Sequence, residues 1–133
     1  MKYLCDTNIF IQILRNRAHK QQCAGFLNQH LSECAISMFA VFAFCILARK
    51  FGEERSGYEI ILELLQNGLQ ILEVEPRTAL MFLLESRHAK FDYDDSLHYQ
   101  LAKEHNLTLV TLDNDFLKIK DKLDIHICQP QDV

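Results

Sequence analysis

Tyr3-Leu4-Cys5-Asp6-Thr7-Asn8-Ile9-Phe10 carries the chain from a strand into a helix within a single turn. The apolar run Met1–Cys5 ends at Asp6-Thr7-Asn8, a cluster that stops a strand and caps a helix, and Ile9–Leu14 continues as an apolar helix. Working outward, the same alternation recurs. Gln21–His30 carries Cys23, Phe26 and Leu27 at helical spacing, and Cys34–Ile36 reads as a second strand. Ser37 then opens a very apolar helix through Lys50. Tyr58, Ile61, Leu62 and Leu65 mark an amphipathic helix that Gly68 closes. Leu69–Val74 is a third strand, and Pro76, tolerated in a first helical turn, opens a helix through about His88. Asp94–His105 is another helix, with Leu107–Thr111 and Asp124–Cys128 as the fourth and fifth strands. Strands alternating with helices imply parallel pairing, because each crossover needs a helix to return the chain. The expected fold is α/β: a three-layer α/β/α sandwich around one five-stranded, mostly parallel sheet.

At 133 residues, 49% hydrophobic and 24% charged, the chain has the size and composition of one globular domain spanning residues 1–133. Its formal net charge of −4 argues against a broadly basic wrapper of nucleic acid, though not against an enzyme that grips nucleic acid through bound metal. The five cysteines (Cys5, Cys23, Cys34, Cys45, Cys128) are odd in number and form no C-x-x-C pair. They read as buried free thiols of a reducing cytoplasm. Asp6 interrupts the N-terminal apolar stretch too early for a signal peptide. The longest uncharged apolar run, Cys34 to Ala48, is 15 residues, short of the roughly 20 that span a bilayer. No membrane association is expected.

Ligands of parallel sheets bind at the carboxyl ends of the strands, and the acidic residues gather there. Asp6 follows strand one and Asp113 follows strand four. Asp95 sits in the first turn of the helix leading into strand four. Each alone reads as a helix cap; together they conflict. Two like charges 4 Å apart repel by roughly 4 kcal/mol at an effective dielectric near 20, so one of the crowded carboxylates should hold its proton unless a cation bridges them. An all-oxygen carboxylate set suits Mg²⁺ or Mn²⁺, and no histidine–cysteine spacing offers a zinc site. Such a centre suits phosphoryl chemistry, and its ions would supply the positive charge an acidic chain lacks.

Four stretches resemble the PIN-domain family, whose commonest small members are the VapC-type toxins of bacterial toxin–antitoxin pairs. They are Tyr3-Leu4-Cys5-Asp6-Thr7-Asn8-Ile9-Phe10, Ala35-Ile36-Ser37, Asp94-Asp95-Ser96-Leu97-His98, and Leu109-Val110-Thr111-Leu112-Asp113-Asn114-Asp115-Phe116. The resemblance implies a Mg²⁺- or Mn²⁺-dependent endoribonuclease acting on RNA, a cognate antitoxin and a homodimer. Under it, Asp6, Asp95 and Asp113 are the catalytic acids, Asp6 and Asp95 as metal ligands and Asp113 as a further ligand or water-mediated contact, and Asn8, Ser37 and Thr111 orient those carboxylates or the attacking water. Asp92 and Asp94 read as solvated or capping, and Asp115 as closing the turn before a core Phe116.

The sequence departs from the family pattern at Ala43, which stands where the family places a glutamate on the helix after strand two. Nothing acidic replaces it in Met38–Ala48, and Glu53 and Glu54 lie about three turns further on. The competing reading is therefore a catalytically impaired PIN domain that binds RNA or protein. Haloacid-dehalogenase-like phosphatases need a second aspartate where Asn8 stands, and the acidic pair and lysine of response-regulator receivers are missing. The all-apolar helix Met38–Ala48 reads as buried core or as an interface if one side stays exposed. His98, one turn after Asp95, reads first as a solvated or core-edge histidine and otherwise as one facing the site. Arg15, Arg17, Lys20, Arg49 and Lys50 read as a solvated face that could also grip phosphates.

Overall fold

The computed structural model describes residues 1–85 and 92–133. Five strands, β1 (Tyr3–Cys5), β2 (Cys34–Ser37), β3 (Gln70–Leu72), β4 (Thr108–Val110) and β5 (Ile127–Cys128), form one sheet in the order β3-β2-β1-β4-β5, and every pairing is parallel. From β1 the chain winds outward through β2 to β3, then returns to β4 beside β1 and continues to β5. The winding direction therefore reverses between β1 and β4, where an open parallel sheet leaves its ligand crevice.

Among the described residues seven helices cover the sheet: α1 (Thr7–Leu14), α2 (Lys20–His30), α3 (Met38–Lys50), α4 (Glu54–Gln66), α5 (Pro76–Glu85), α6 (Tyr93–Glu104) and the short α7 (Asn114–Leu117). The period-two alternation of the strands sorts their side chains into two cores. Cys5, Cys34, Ile36 and Val110 face one side, packed with Ile9 and Phe10 of α1, Phe26 and Leu27 of α2, Phe44 of α3 and Ile61 of α4. Leu4, Ala35 and Leu109 face the other, packed with Phe82 of α5, Leu97 and Leu101 of α6, and Phe116. The three-layer α/β/α sandwich is thus the observed architecture.

Several boundaries differ from the sequence reading. β3 and β5 are shorter than Leu69–Val74 and Asp124–Cys128, because only Gln70–Leu72 and Ile127–Cys128 find ladder partners. The predicted continuation of α5 to about His88 falls outside the described residues. The α4 stripe is not wholly core: Ile61 is buried, whereas Tyr58 is exposed. The helix α3 buries Ala40, Phe44 and Ala48 but leaves Phe42 and Ile46 in solvent. Of the cysteines, Cys5, Cys23 and Cys34 are buried, Cys128 is half-buried, and Cys45 is exposed. Among the described residues no helix is long and apolar enough to cross a membrane.

Candidate metal centre

Asp6 leaves the end of β1, where its backbone N–H donates to Val110 O (3.0 Å) and ties the ends of β1 and β4 together. Its side chain caps α1, with Oδ1 accepting from Thr7 N–H (2.7 Å). The other oxygen, Oδ2, accepts from the hydroxyl of Thr111 (2.7 Å) and from the Asn8 amide (3.4 Å). Thr111 Oγ1 in turn accepts from Asp113 N–H (3.0 Å), so one buried hydroxyl fixes a carboxylate on β1 and the backbone of the loop after β4. Asn8 joins the same two loops, accepting through Oδ1 from Leu112 N–H (3.4 Å).

Asp113 caps α7, accepting from Asp115 N–H (2.9 Å). Asp95 enters from the first turn of α6 and is only 7% exposed. Capping and convergence are therefore not alternatives here: Asp6 and Asp113 cap helices whose N-termini the β1/β4 reversal brings to one edge. Carboxylate oxygens of Asp95, Asp113 and Asp115 lie within 4.8 Å of one another, as do those of Asp92, Asp94 and Asp95. Asp95 belongs to both groups and Asp6 to neither.

The electrostatics reflect this crowding. Burial, reinforced by Asp94, Asp113, Asp6 and Asp92, pushes the Asp95 carboxyl up to about 7. Burial also raises Asp113, partly offset by the hydrogen bond from Asp115 N–H and aided by the charges of Asp115, Asp6 and Asp94. Hard oxygen donors at this spacing fit Mg²⁺ or Mn²⁺, and among the described residues no cysteine or histidine joins either acidic group.

Two expectations need correction. Ser37 touches none of these carboxylates among the contacts seen: its Oγ accepts from Ala40 N–H, capping α3, and meets His98 Nε2 at 2.9 Å. His98 is neither solvated nor at the core edge. It is 1% exposed, with Nδ1 3.7 Å from Asp6 Oδ1. Its position one turn after Asp95 was the available signal, since residues three apart share a helix face. Asp92, at the start of α6, and Asp115, in the turn before Phe116, are exposed as read, and with Asp94 they also stand within ligand spacing of Asp95 or Asp113. Arg15 pairs with Glu53 over the Phe51 ring, and α3 carries Arg49 and Lys50 about 20 Å from its start at Ser37.

An α/β protein with acidic loops at its sheet reversal is the class this geometry defines. The sequence matches the PIN domain family over residues 3–122, and the chain belongs to that family. No curated protein sequence matches it. Among solved structures it is similar to a toxin–antitoxin complex from Klebsiella pneumoniae (22% identity, TM-score 0.70, covering 97% of this chain and 98% of that one). It is similar also to VapBC2 from Rickettsia felis bound to a promoter DNA fragment (19%, 0.71, 97% and 98%). A third is VapC20 of Mycobacterium tuberculosis, a Sarcin-Ricin loop cleaving toxin (11%, 0.72, 88% and 94%). At these identities the likeness is one of fold.

Proposed function

We propose that this chain is a divalent-cation-dependent endoribonuclease and the toxin half of a toxin–antitoxin pair. The observation that carries the reading is the convergence of Asp6, Asp95 and Asp113 at the β1/β4 reversal, with Asp95 common to two groups of closely spaced acids. Asp95 and Asp113 would hold Mg²⁺ or Mn²⁺, with Asp6 as a direct or water-mediated partner. Such an ion supplies orientation and acidification of water and offsets charge on an attacked phosphate. The chain's own part is rigidity. Thr7 N–H and the Thr111 hydroxyl hold both oxygens of Asp6, so little reorganisation is left for the bound state. Thr111 and Asn8 keep the loops after β1 and β4 in register, which fixes Asp6 against Asp113.

An antitoxin segment suits the groove of about 380 Å³ between α3 and α4, lined by Val41, Phe44, Cys45, Ala48, Tyr58 and Leu62. A second copy of the chain suits the α5 face, where Leu80, Met81 and Leu84 are exposed side by side. Cytoplasmic residence accords with the unpaired cysteines.

The half-buried Ala43, on α3 where the family has its glutamate, favours one alternative: a PIN domain kept for binding RNA or protein. One comparison separates the two. RNA cleavage by the wild type that Asp6→Asn abolishes supports the nuclease. Cleavage appearing only in Ala43→Glu supports the binding module, and cleavage indifferent to Asp6→Asn places the site elsewhere.

A further inference from the structure

His98 lies in the middle of α6 with its ring enclosed. Ser37 Oγ is 2.9 Å from Nε2, Asp6 Oδ1 is 3.7 Å from Nδ1, and the Phe39 ring packs edge-on at 6.3 Å between centroids. At 1% exposure it is among the most buried polar side chains described, and Nδ1 has no hydrogen-bond partner among the described residues. An imidazole buried this way must earn its place, since a buried polar atom left unpaired destabilises the fold.

The neighbours decide where its proton sits. Ser37 Oγ already accepts from Ala40 N–H, and its own hydroxyl proton needs an acceptor. Nε2 is the acceptor within reach. That leaves the ring proton on Nδ1, directed at the Asp6 carboxylate. The opposite tautomer would strand the Ser37 proton and set the Nδ1 lone pair against an anionic oxygen. A separation of 3.7 Å is longer than a hydrogen bond, so the Nδ1–H acts on the carboxylate as a dipole aimed at it across a short buried gap.

We propose that His98 is a positioning residue for the metal centre: Ser37 fixes its tautomer, and its Nδ1–H orients the Asp6 carboxylate from the buried side. The proposal rests on the cation-dependent reading above and extends it to a residue outside the carboxylate set. It joins three elements, because Asp6 follows β1, Ser37 ends β2 and His98 shares a face of α6 with Asp95. The logic is that of histidines and carboxylates whose outer partners fix the geometry of a ligand they do not replace.

Asparagine places an amide N–H near the Nδ1 position, and glutamine places its amide near Nε2. His98→Asn should therefore keep the donor to Asp6, and His98→Gln should keep only the Ser37 side. The expected result is Mn²⁺ affinity and kcat close to wild type in His98→Asn. In His98→Gln both should fall about tenfold or more, with KM for RNA unchanged. Imidazole ¹⁵N shifts of the metal-free wild type, which need no variant to fold, should report a neutral ring protonated at Nδ1. An Nε2-protonated ring overturns the proposal, as does wild-type Mn²⁺ affinity and kcat in His98→Gln while Asp6→Asn is impaired. Absence of Mn²⁺ binding in the wild type would instead overturn the cation reading beneath it, and the proposal with it.

Discussion

The Thr111 hydroxyl donates to Asp6 Oδ2 and accepts from Asp113 N–H, so a single small group holds two of the acids in register. Thr111→Val removes both bonds at a fully buried position. We expect it to lower stability by about 1–3 kcal/mol and to weaken Mn²⁺ binding, read from denaturation midpoints and Mn²⁺ titration; unchanged values in both would remove Thr111 from the site. Asp95 sets the pH dependence. Its folded carboxyl stands near 7, above the unfolded value of about 3.9. Between those values the metal-free folded state keeps a proton that the unfolded chain has released, so stability falls as pH rises from about 4 to 7 and then levels. Asp113 is raised too and pulls the same way. Mn²⁺ affinity should rise over the same interval, because a ligand must lose its proton to bind. Denaturation midpoints at pH 5 and pH 8 check the sign, and Asp95→Asn should flatten the curve. The placement of Asp6, Asp95 and Asp113 was legible because strand ends and helix starts announce themselves in sequence, whereas Asn8 and Thr111 were singled out only by the family resemblance. For His98 the helix spacing allowed a place facing the site but could not decide it, because one turn of helix says which face a residue shares but not what lies opposite.

The helices α3 and α4 approach each other more closely than their hydrophobic patterns suggest. Gly57 is buried, and a Cβ placed there would meet Ala48 Cβ at 2.9 Å and the Phe44 ring at 3.3 Å. Neither neighbour is the free end of a flexible chain. Gly57→Ala should therefore cost about 1–3 kcal/mol by overpacking, visible as a lower melting temperature, even though alanine is the better helix former. A melting temperature equal to or above wild type would mean the two helices can part freely. Sequence periodicity found both helices, since Ile61 and Leu65 fall on one face. It could not show that Tyr58 of the same stripe and Phe42 and Ile46 of α3 remain in water. Exposure depends on what packs against a helix, and an all-apolar segment such as Met38–Ala48 carries no polar residue to mark its outer side.

At the scale of the whole molecule, alternation of strand and helix was enough to give parallel pairing and three layers. The strand order was not legible, because nothing in a three-residue strand names its neighbour. That order sets the function proposed here: the reversal between β1 and β4 brings Asp6 to Asp113, residues far apart in the chain, and α6 then delivers Asp95 to the same edge. A cation bound there stabilises the folded state alone, so millimolar Mn²⁺ should raise the melting temperature of the wild type and not that of Asp95→Asn. The most direct test of the account is RNA cleavage by the purified chain with Mn²⁺ or Mg²⁺, set beside excess EDTA and the Asp95→Asn variant. The account predicts cleavage with the cation and its loss under chelation or in Asp95→Asn. Cleavage that persists in EDTA, or in a folded Asp95→Asn, would contradict it.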